Sequence, residues 1–171
     1  MKALPLAVLL FFSSPLFALI EVGQSVPNFC WPDAEDRTIC LDDYKNTVRV
    51  LVYNTGWCEP ANTHMKELAS SVGGFIGKPV TFLSLSAQGW THGSAPNATF
   101  LKEWQAKHQI PFVVAGSPGD AGKNFFMPIY VPNIAVVDKG GKLAYKEIMP
   151  ANEVLFREID RLLQQMRPST P

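Results

Sequence analysis

The residues with the clearest chemical potential lie in one short run, Trp57-Cys58-Glu59-Pro60-Ala61. The apolar, β-branched segment Val48–Tyr53 precedes the run, and apolar residues at three- and four-residue spacing follow it, which predicts a strand, a turn and a helix. Cys58 then stands where the helix begins, and the unpaired N–H groups and the dipole of a helix N-terminus favour a thiolate. Because the thiolate is the attacking species in thiol–disulfide exchange, the sequence predicts a nucleophile at Cys58.

The neighbours of Cys58 affect this chemistry in different ways. Pro60 fits the first helical turn because it gives up no helical hydrogen bond there. Glu59 brings a negative charge that opposes ionisation of the sulfur, and we expect the helix terminus to outweigh it. Trp57 is expected to shield the sulfur and to offer an apolar face to a substrate. The alternative interpretation is a structural cysteine that only fills the core.

Ala61 stands three residues after Cys58, where a second cysteine would complete a Cys-x-x-Cys pair. Such a pair resolves a mixed disulfide internally, because the second thiol is present at high effective concentration. With alanine at this position, an external thiol or a second cysteine of the substrate must release the adduct. The sequence therefore favours disulfide isomerisation, reduction that depends on an external thiol, or client capture over net oxidation.

The other two cysteines, Cys30 and Cys40, flank a cluster of turn-forming residues and lie on the two arms of a predicted hairpin. A disulfide between them is the simplest interpretation, since the arms would bring them opposite each other. Two buried free thiols, or a resolving role toward Cys58, are the alternatives. A disulfide would suit an oxidising compartment.

The composition argues against several classes of partner. The 171 residues include 15 Lys plus Arg and 15 Asp plus Glu, so no basic surface for nucleic acid is indicated. The histidines, His64, His92 and His108, are scattered and have no close spacing to the cysteines, so we expect neither a metal site nor a cofactor. We interpret His64 as a solvated residue of the Cys58 helix, with an approach to the site as the alternative.

The first residues have the pattern of a secretory signal peptide. Lys2 supplies the positive start, the apolar stretch Leu4–Phe12 follows, and a Ser-Ser-Pro break precedes Ala18. We expect a leader over residues 1–18, one domain over residues 19–171, and a periplasmic or otherwise exported protein. An uncleaved membrane anchor or a buried first helix are the alternatives, although the apolar stretch is shorter than the roughly 20 residues that a membrane span needs.

The rest of the chain predicts alternating strands and helices. Asn97 is a suitable N-cap for the helix after the loop 88–96. The elements predicted after the Cys58 helix are a strand at Val80–Ser86, a helix at Asn97–His108, a short strand at Pro111–Val114, a short helix at Asp120–Phe126, a hairpin of Asn133–Asp138 with Lys142–Ile148, and a final helix at Ala151–Met166. This order predicts an α/β fold: an N-terminal hairpin, then a central mixed sheet with helices on both faces.

Three features together resemble the thioredoxin superfamily. They are the run Trp57–Pro60 at a strand-to-helix turn, the Val131-Pro132-Asn133 segment before a strand and an Asp-x-x-Gly-Lys turn, and the opening Pro27-x-Phe29. The chain is most similar to exported thiol–disulfide oxidoreductases of the TlpA/redoxin type, which are related to the AhpC/TSA group. It departs from them at Ala61, and His64 and Lys66 stand where these proteins often have glutamate and proline.

The resemblance implies a thioredoxin-like fold and monothiol exchange of the reductase or isomerase type at Cys58. It implies that the Val131–Pro132 bond is cis and faces Cys58, so that Val131 pairs with an extended substrate beside Trp57. The implied partners are protein or small-molecule thiols and disulfides and an external reducing thiol. Nucleic acid is not expected, and a membrane only through an uncleaved leader.

Two other functions remain open at this stage. A thiol peroxidase is suggested by the Thr-x-x-Cys spacing of Thr55 and Cys58, but Leu51 stands where peroxiredoxins have proline. In addition, no arginine occurs between Arg49 and Arg157 to bind a peroxide. The other possibility is a non-catalytic binding or chaperone module, which the missing second thiol favours.

Overall fold

The computed structural model describes residues 19–117 and 131–166. The predicted helix at Asp120–Phe126 lies outside these residues. The described strands are β1 (Cys30–Pro32), β2 (Thr38–Cys40), β3 (Val48–Asn54), β4 (Val80–Ser86), β5 (Val113–Gly116), β6 (Asn133–Val137) and β7 (Leu143–Ile148). The described helices are α1 (Glu59–Ser71), α2 (Ala98–Lys107) and α3 (Asn152–Gln165), and short 3₁₀ turns occupy Leu41–Tyr44 and Val72–Phe75.

The central sheet has the strand order β5-β4-β3-β6-β7. Strand β4 runs parallel to β3 and to β5, whereas β6 runs antiparallel to both β3 and β7, so the sheet is mixed, as predicted. At one end of the sheet Asn54 pairs with Ser86, and Tyr53 pairs with Asn133. The loops after β3 and β4 and the segment before β6 therefore meet at this end.

The two faces of the sheet are covered differently. Val48, Val50 and Val52 of β3 pack in a core cluster with buried residues of all three described helices. The alternate residues Leu51 and Tyr53 pack in a second cluster with residues of the N-terminal segment and its hairpin. The expectation of helices on both faces therefore does not hold for the described residues. Successive right-handed crossovers from β3 to β4 and from β4 to β5 place α1 and α2 on the same face.

The helix boundaries agree with the periodicity of the sequence. Asn97 caps α2 as predicted, since its side-chain oxygen accepts a hydrogen bond from the backbone N–H of Phe100 at 2.9 Å. Strand β5 starts later than predicted, because the ladder with β4 begins at the pair Leu83–Val113 and proline cannot donate to a ladder. No helix within residues 19–117 and 131–166 has the length and apolar character to cross a membrane.

The N-terminal hairpin has the register that the cysteine positions predict. Cys30 pairs directly with Cys40, and the two sulfurs form a disulfide with a Cα–Cα distance of 4.0 Å. Trp31, between them in the hairpin, is buried in the second core cluster. The disulfide thus links the two strands of the hairpin, and the buried side chain of Trp31 packs the hairpin against the central sheet.

Candidate active site

Cys58 is the N-cap residue of α1, as the sequence predicts. Its sulfur is a free thiol, the residue is half-buried, and the helix opens with Glu59 and Pro60, both exposed. The carbonyl of Cys58 accepts the backbone N–H of Asn62 at 3.0 Å, which starts the helical hydrogen-bond series. The thiol therefore lies at the N-terminal end of α1.

Gly56 lets the loop before Cys58 pack closely against its neighbours. Its N–H donates to the carbonyl of Gln88 at 3.0 Å. A Cβ at this position would lie 2.7 Å from the carbonyl oxygen of Gly89 and would overlap the ring of Phe100. Only glycine fits this position without displacing the loop after β4 or helix α2.

Trp57 is held by the loop that follows β4. Its indole N–H donates to Oε1 of Gln88 at 2.6 Å, and the same oxygen accepts the backbone N–H of Gly93 at 3.1 Å. The ring stacks on His92 with 3.6 Å between centroids, yet Trp57 remains 36% exposed. One face of the indole is therefore occupied by imidazole, so any apolar face offered to a substrate is the other one.

The side-chain amide of Asn62 holds the loop before Cys58 by a hydrogen bond. Its Nδ2 donates to the carbonyl of Gly56 at 2.9 Å, and its Oδ1 accepts the indole N–H of Trp104 at 3.0 Å. Asn62 and Trp104 are both buried. A single amide thus joins the turn before Cys58, helix α1 and helix α2.

The position of the missing second thiol is closed to solvent. Ala61 is completely buried, three residues after Cys58 on the inward face of α1. A thiol at this position would lie one helical turn beyond Cys58. In the chain as it stands, a buried methyl group occupies this position.

The Val131–Pro132 bond is cis, as predicted. Pro132 is buried and Val131 half-buried, and the next residue, Asn133, pairs with Tyr53 near the end of β3. The cis bond therefore lies at the same end of the sheet as Cys58. A direct contact between Pro132 and the Cys58 sulfur stays a prediction.

His64 is buried, so its interpretation as a solvated residue is wrong. It is 9% exposed and its Nε2 lies 3.0 Å from the carbonyl oxygen of Pro150. Its Nδ1 is also buried and has no hydrogen-bond partner in the described part of the chain. The physical reason is its helical position: His64 lies three residues after Ala61 and four before Leu68, on the stripe that faces the core.

Sequence reasoning missed Gln88, His92 and Asn62. Two signals could have indicated them. Gln88 and His92 follow β4, and side chains beyond the carboxyl ends of neighbouring parallel strands share one crevice. Asn62 is a polar residue on the core-facing stripe of α1, four residues after Cys58, and buried polar side chains there require partners.

The histidines do not gather into a metal site. Among residues 19–117 and 131–166, no group of three or more His, Cys, Asp or Glu side chains could hold a metal ion. Of the three histidines, His92 contacts Trp57, His64 contacts Pro150, and His108 packs against Trp104. Each of these side chains thus belongs to a different local environment.

Comparison with known proteins identifies the family. Residues 22–146 match the model of the AhpC/TSA family. The chain belongs to this family. It is 28% identical over 149 residues to the thiol-disulfide oxidoreductase ResA of Bacillus thuringiensis subsp. konkukian, which covers 87% of this chain and 80% of that protein. A ResA of Bacillus cereus is 24% identical over the same length and covers the same shares of the two chains.

Solved structures show the fold. A thiol-disulfide oxidoreductase from Bacteroides fragilis superposes with a TM-score of 0.67 at 15% identity, covering 81% of this chain and 99% of that one. A thiol:disulfide interchange protein of the thioredoxin family from Chlorobium tepidum gives 0.65 at 14% identity, covering 85% and 99%. The chain is thus a redoxin-type member of the thioredoxin superfamily, which confirms the predicted resemblance.

Proposed function

We propose that the protein is a thiol–disulfide oxidoreductase that works through Cys58 alone. The observation that carries this proposal is the free, half-buried thiol at the start of α1, with the fully buried methyl group of Ala61 where a second thiol would stand. The 28% identical relative named ResA supports thiol–disulfide exchange as the reaction class.

The proposed reaction has two exchange steps. The Cys58 thiolate attacks one sulfur of a substrate disulfide, forms a mixed disulfide with it, and releases the other sulfur as a thiolate that takes up a proton from solvent. An external thiol, as its thiolate, then attacks the substrate sulfur of the mixed disulfide, forms a disulfide with it, and releases Cys58 as the thiolate. If the thiolate of a further cysteine of the substrate attacks the substrate sulfur of the mixed disulfide instead, a different substrate disulfide forms, Cys58 leaves as the thiolate, and the substrate is isomerised with no net redox change.

The residues around Cys58 have proposed roles in these steps. The N-terminus of α1 stabilises the thiolate, both as the attacking and as the leaving group. The backbone of Val131, held by the cis Pro132, pairs with an extended substrate. Trp57, fixed by Gln88, lines the approach to the sulfur.

We also propose that the protein is exported. The support is the leader-like sequence of residues 1–18 and the Cys30–Cys40 disulfide, which persists in an oxidising compartment. Mass spectrometry of protein recovered from the cell envelope tests this, because cleavage after Ala18 gives a mature chain that begins at Leu19. An intact leader on protein recovered only from the cytoplasm would overturn it.

Trapping of the mixed disulfide tests the catalytic proposal. Full-length protein, with the Cys30–Cys40 bond intact, is incubated with glutathione disulfide and with a disulfide-containing protein, then acid-quenched and mapped without reduction. We expect a single adduct at Cys58 that dithiothreitol removes, and none in Cys58→Ala. A wild-type Cys58 that forms no adduct would contradict the proposal and favour a non-catalytic binding module.

A thiol peroxidase is the second candidate, because one observation favours it. The buried hydroxyl of Thr55, three residues before Cys58, has no hydrogen-bond partner among the described residues. Against it, Arg49 lies near the start of β3 and Cys58 beyond its end, and Nη2 of Arg49 donates to the carbonyl of Asp138. Peroxide consumption with a thiol reductant discriminates, and turnover by wild type but not by Cys58→Ala would support the peroxidase.

A further inference from the structure

The buried side chain of His64 connects two parts of the site. Its Nε2 lies 3.0 Å from the carbonyl oxygen of Pro150, in the turn between β7 and α3. A carbonyl only accepts hydrogen bonds, so Nε2 carries a proton and donates it to the Pro150 carbonyl. Nδ1 of His64 is buried and has no hydrogen-bond partner among the described residues. The nearest residues on the same stripe of α1, Ala61 and Leu68, are apolar.

The turn that His64 contacts is itself bonded to the cis proline. The N–H of Met149 donates to the carbonyl of Pro132 at 3.0 Å. Met149 has a φ of 48°, in the left-handed region that a residue with a side chain enters at a cost of about 1 kcal/mol. In this conformation the N–H of Met149 faces the carbonyl of Pro132, and the carbonyl of the following residue, Pro150, faces Nε2 of His64. Two hydrogen bonds in series therefore run from α1 through Met149–Pro150 to Pro132.

We infer that His64 is a positioning residue, which sets the placement of the Val131–Pro132 segment relative to the helix that carries Cys58. The inference rests on the proposed function, because this placement matters only if an extended substrate pairs with Val131 while its sulfur reacts at Cys58. A small disulfide needs the thiol alone. A peptide disulfide needs the thiol and the segment together, so the two kinds of substrate separate the role of His64 from the reactivity of Cys58.

The experiment compares two substrates on the full-length protein. One is glutathione disulfide, and the other is a ten-residue extended peptide whose central cysteine carries a nitrothiobenzoate group. His64→Leu removes the donor and nearly keeps the side-chain volume. We expect its rate with glutathione disulfide to stay within about twofold of wild type. Its kcat/KM for the peptide should fall by about tenfold or more, mainly through a higher KM. His64→Gln places an amide N–H near Nε2 and should restore most of the peptide rate.

A matched control uses another buried histidine. His108 is also 9% exposed but lies at the end of α2, outside the bonded series, so His108→Leu should change neither substrate's rate selectively. If His64→Leu does not fold, His64→Gln and His64→Asn decide, because the shorter amide of asparagine cannot reach Pro150 and should lose the peptide rate. Parallel changes with both substrates, or none, would overturn the inference. A wild-type protein that reacts with neither substrate would instead overturn the proposed function.

Discussion

At the scale of single residues, the proposed chemistry of Cys58 depends on the presence of alanine rather than cysteine at position 61. The thiol can attack a disulfide, but the chain offers no sulfur one helical turn further on to displace the product. In the proposed mechanism, the concentration of external thiol rather than an intramolecular step sets the rate of release. The proposed monothiol site would therefore hold its partner longer than a dithiol site does.

Ala61→Cys should therefore convert a slow release into a fast one. We expect adduct lifetime to fall and dithiol-dependent turnover to rise by at least about tenfold, a barrier change of only about 1.4 kcal/mol. Adduct decay by mass spectrometry and insulin reduction measure the two quantities. Ala61→Ser is the matched control, since it brings a similar volume without a thiol and should behave like wild type. Equal lifetimes in Ala61→Cys and Ala61→Ser would refute the monothiol explanation.

Substitution of Gly56 should disturb the loop before Cys58 by steric overlap. Gly56→Ala forces the new methyl group against the Gly89 carbonyl and the Phe100 ring. We expect a loss of about 1–3 kcal/mol in the free energy of unfolding, as for other overpacked sites. Urea denaturation measures it. Gly74→Ala is the control, because a Cβ there meets no atom within 4 Å and should change stability little.

At the scale of elements, the hairpin at residues 30–40 depends on a buried carboxylate. Asp33 is 3% exposed, and its oxygens accept the backbone N–H groups of Glu35 and Arg37 at 2.8 and 2.9 Å and Nε of Arg37 at 2.9 Å. Burial by itself raises the pKa of Asp33, but the hydrogen bonds from Arg37 and Glu35 outweigh it, and the pKa is lowered from 3.8. The carboxylate form therefore closes the turn between the two cysteines.

Acid should loosen this turn. With its pKa lowered in the folded state, Asp33 binds fewer protons than in the unfolded chain, so its contribution is full above about pH 4 and is lost as the pH falls through the folded value. Because the side chain of Arg37 is largely exposed, solvent screens its charge, and we expect only a small contribution of the Asp33–Arg37 pair to the free energy of unfolding. Urea unfolding at pH 3 to 7 should show a smaller acid-dependent loss for Asp33→Asn than for wild type. Identical pH profiles would contradict this role.

The elements themselves were largely predictable, because their signals are local. The apolar run of β3, the alternation of β4 and the Asn97 cap each occur within a few residues, and all three elements were predicted nearly to their ends. Which elements cover each face of the sheet was not predictable in this way, since it depends on crossovers between distant strands. The expectation of a solvated His64 is wrong, because the polar residue type alone suggests exposure whereas the position of His64 lies on the core-facing stripe of α1.

At the scale of the whole molecule, the site exists because the sheet brings three distant segments to one end. Cys58 was predicted from a short motif with recognisable spacing, and the cis bond at Pro132 was implied by the resemblance to the thioredoxin superfamily. Gln88 and His92 were not predicted, because their contacts with Trp57 join residues more than thirty positions apart and leave no periodic trace. The reactive atoms were thus predictable, and the side chains that hold them required the folded chain.

Asn62 should show how far the site depends on helix packing. Asn62→Ala leaves the carbonyl of Gly56 and the indole N–H of Trp104 buried without their partner, which should cost about 2–4 kcal/mol in the free energy of unfolding. Because its amide supports the turn before Cys58, alkylation of that thiol should also become faster in the variant. Urea unfolding and iodoacetamide kinetics measure the two effects.

A double-mutant cycle isolates the link to α2. Trp104→Phe removes the indole donor, so Asn62→Ala with Trp104→Phe should be less destabilised than the sum of the single variants by about 1 kcal/mol or more. Asn62→Ala with Ser70→Ala is the control, because Ser70 is exposed near the C-terminal end of α1 and its hydroxyl donates to the Glu67 carbonyl within the same helix. That pair should be additive. Additivity in both pairs would mean that Asn62 and Trp104 act independently and that α2 does not support the thiol loop through this amide.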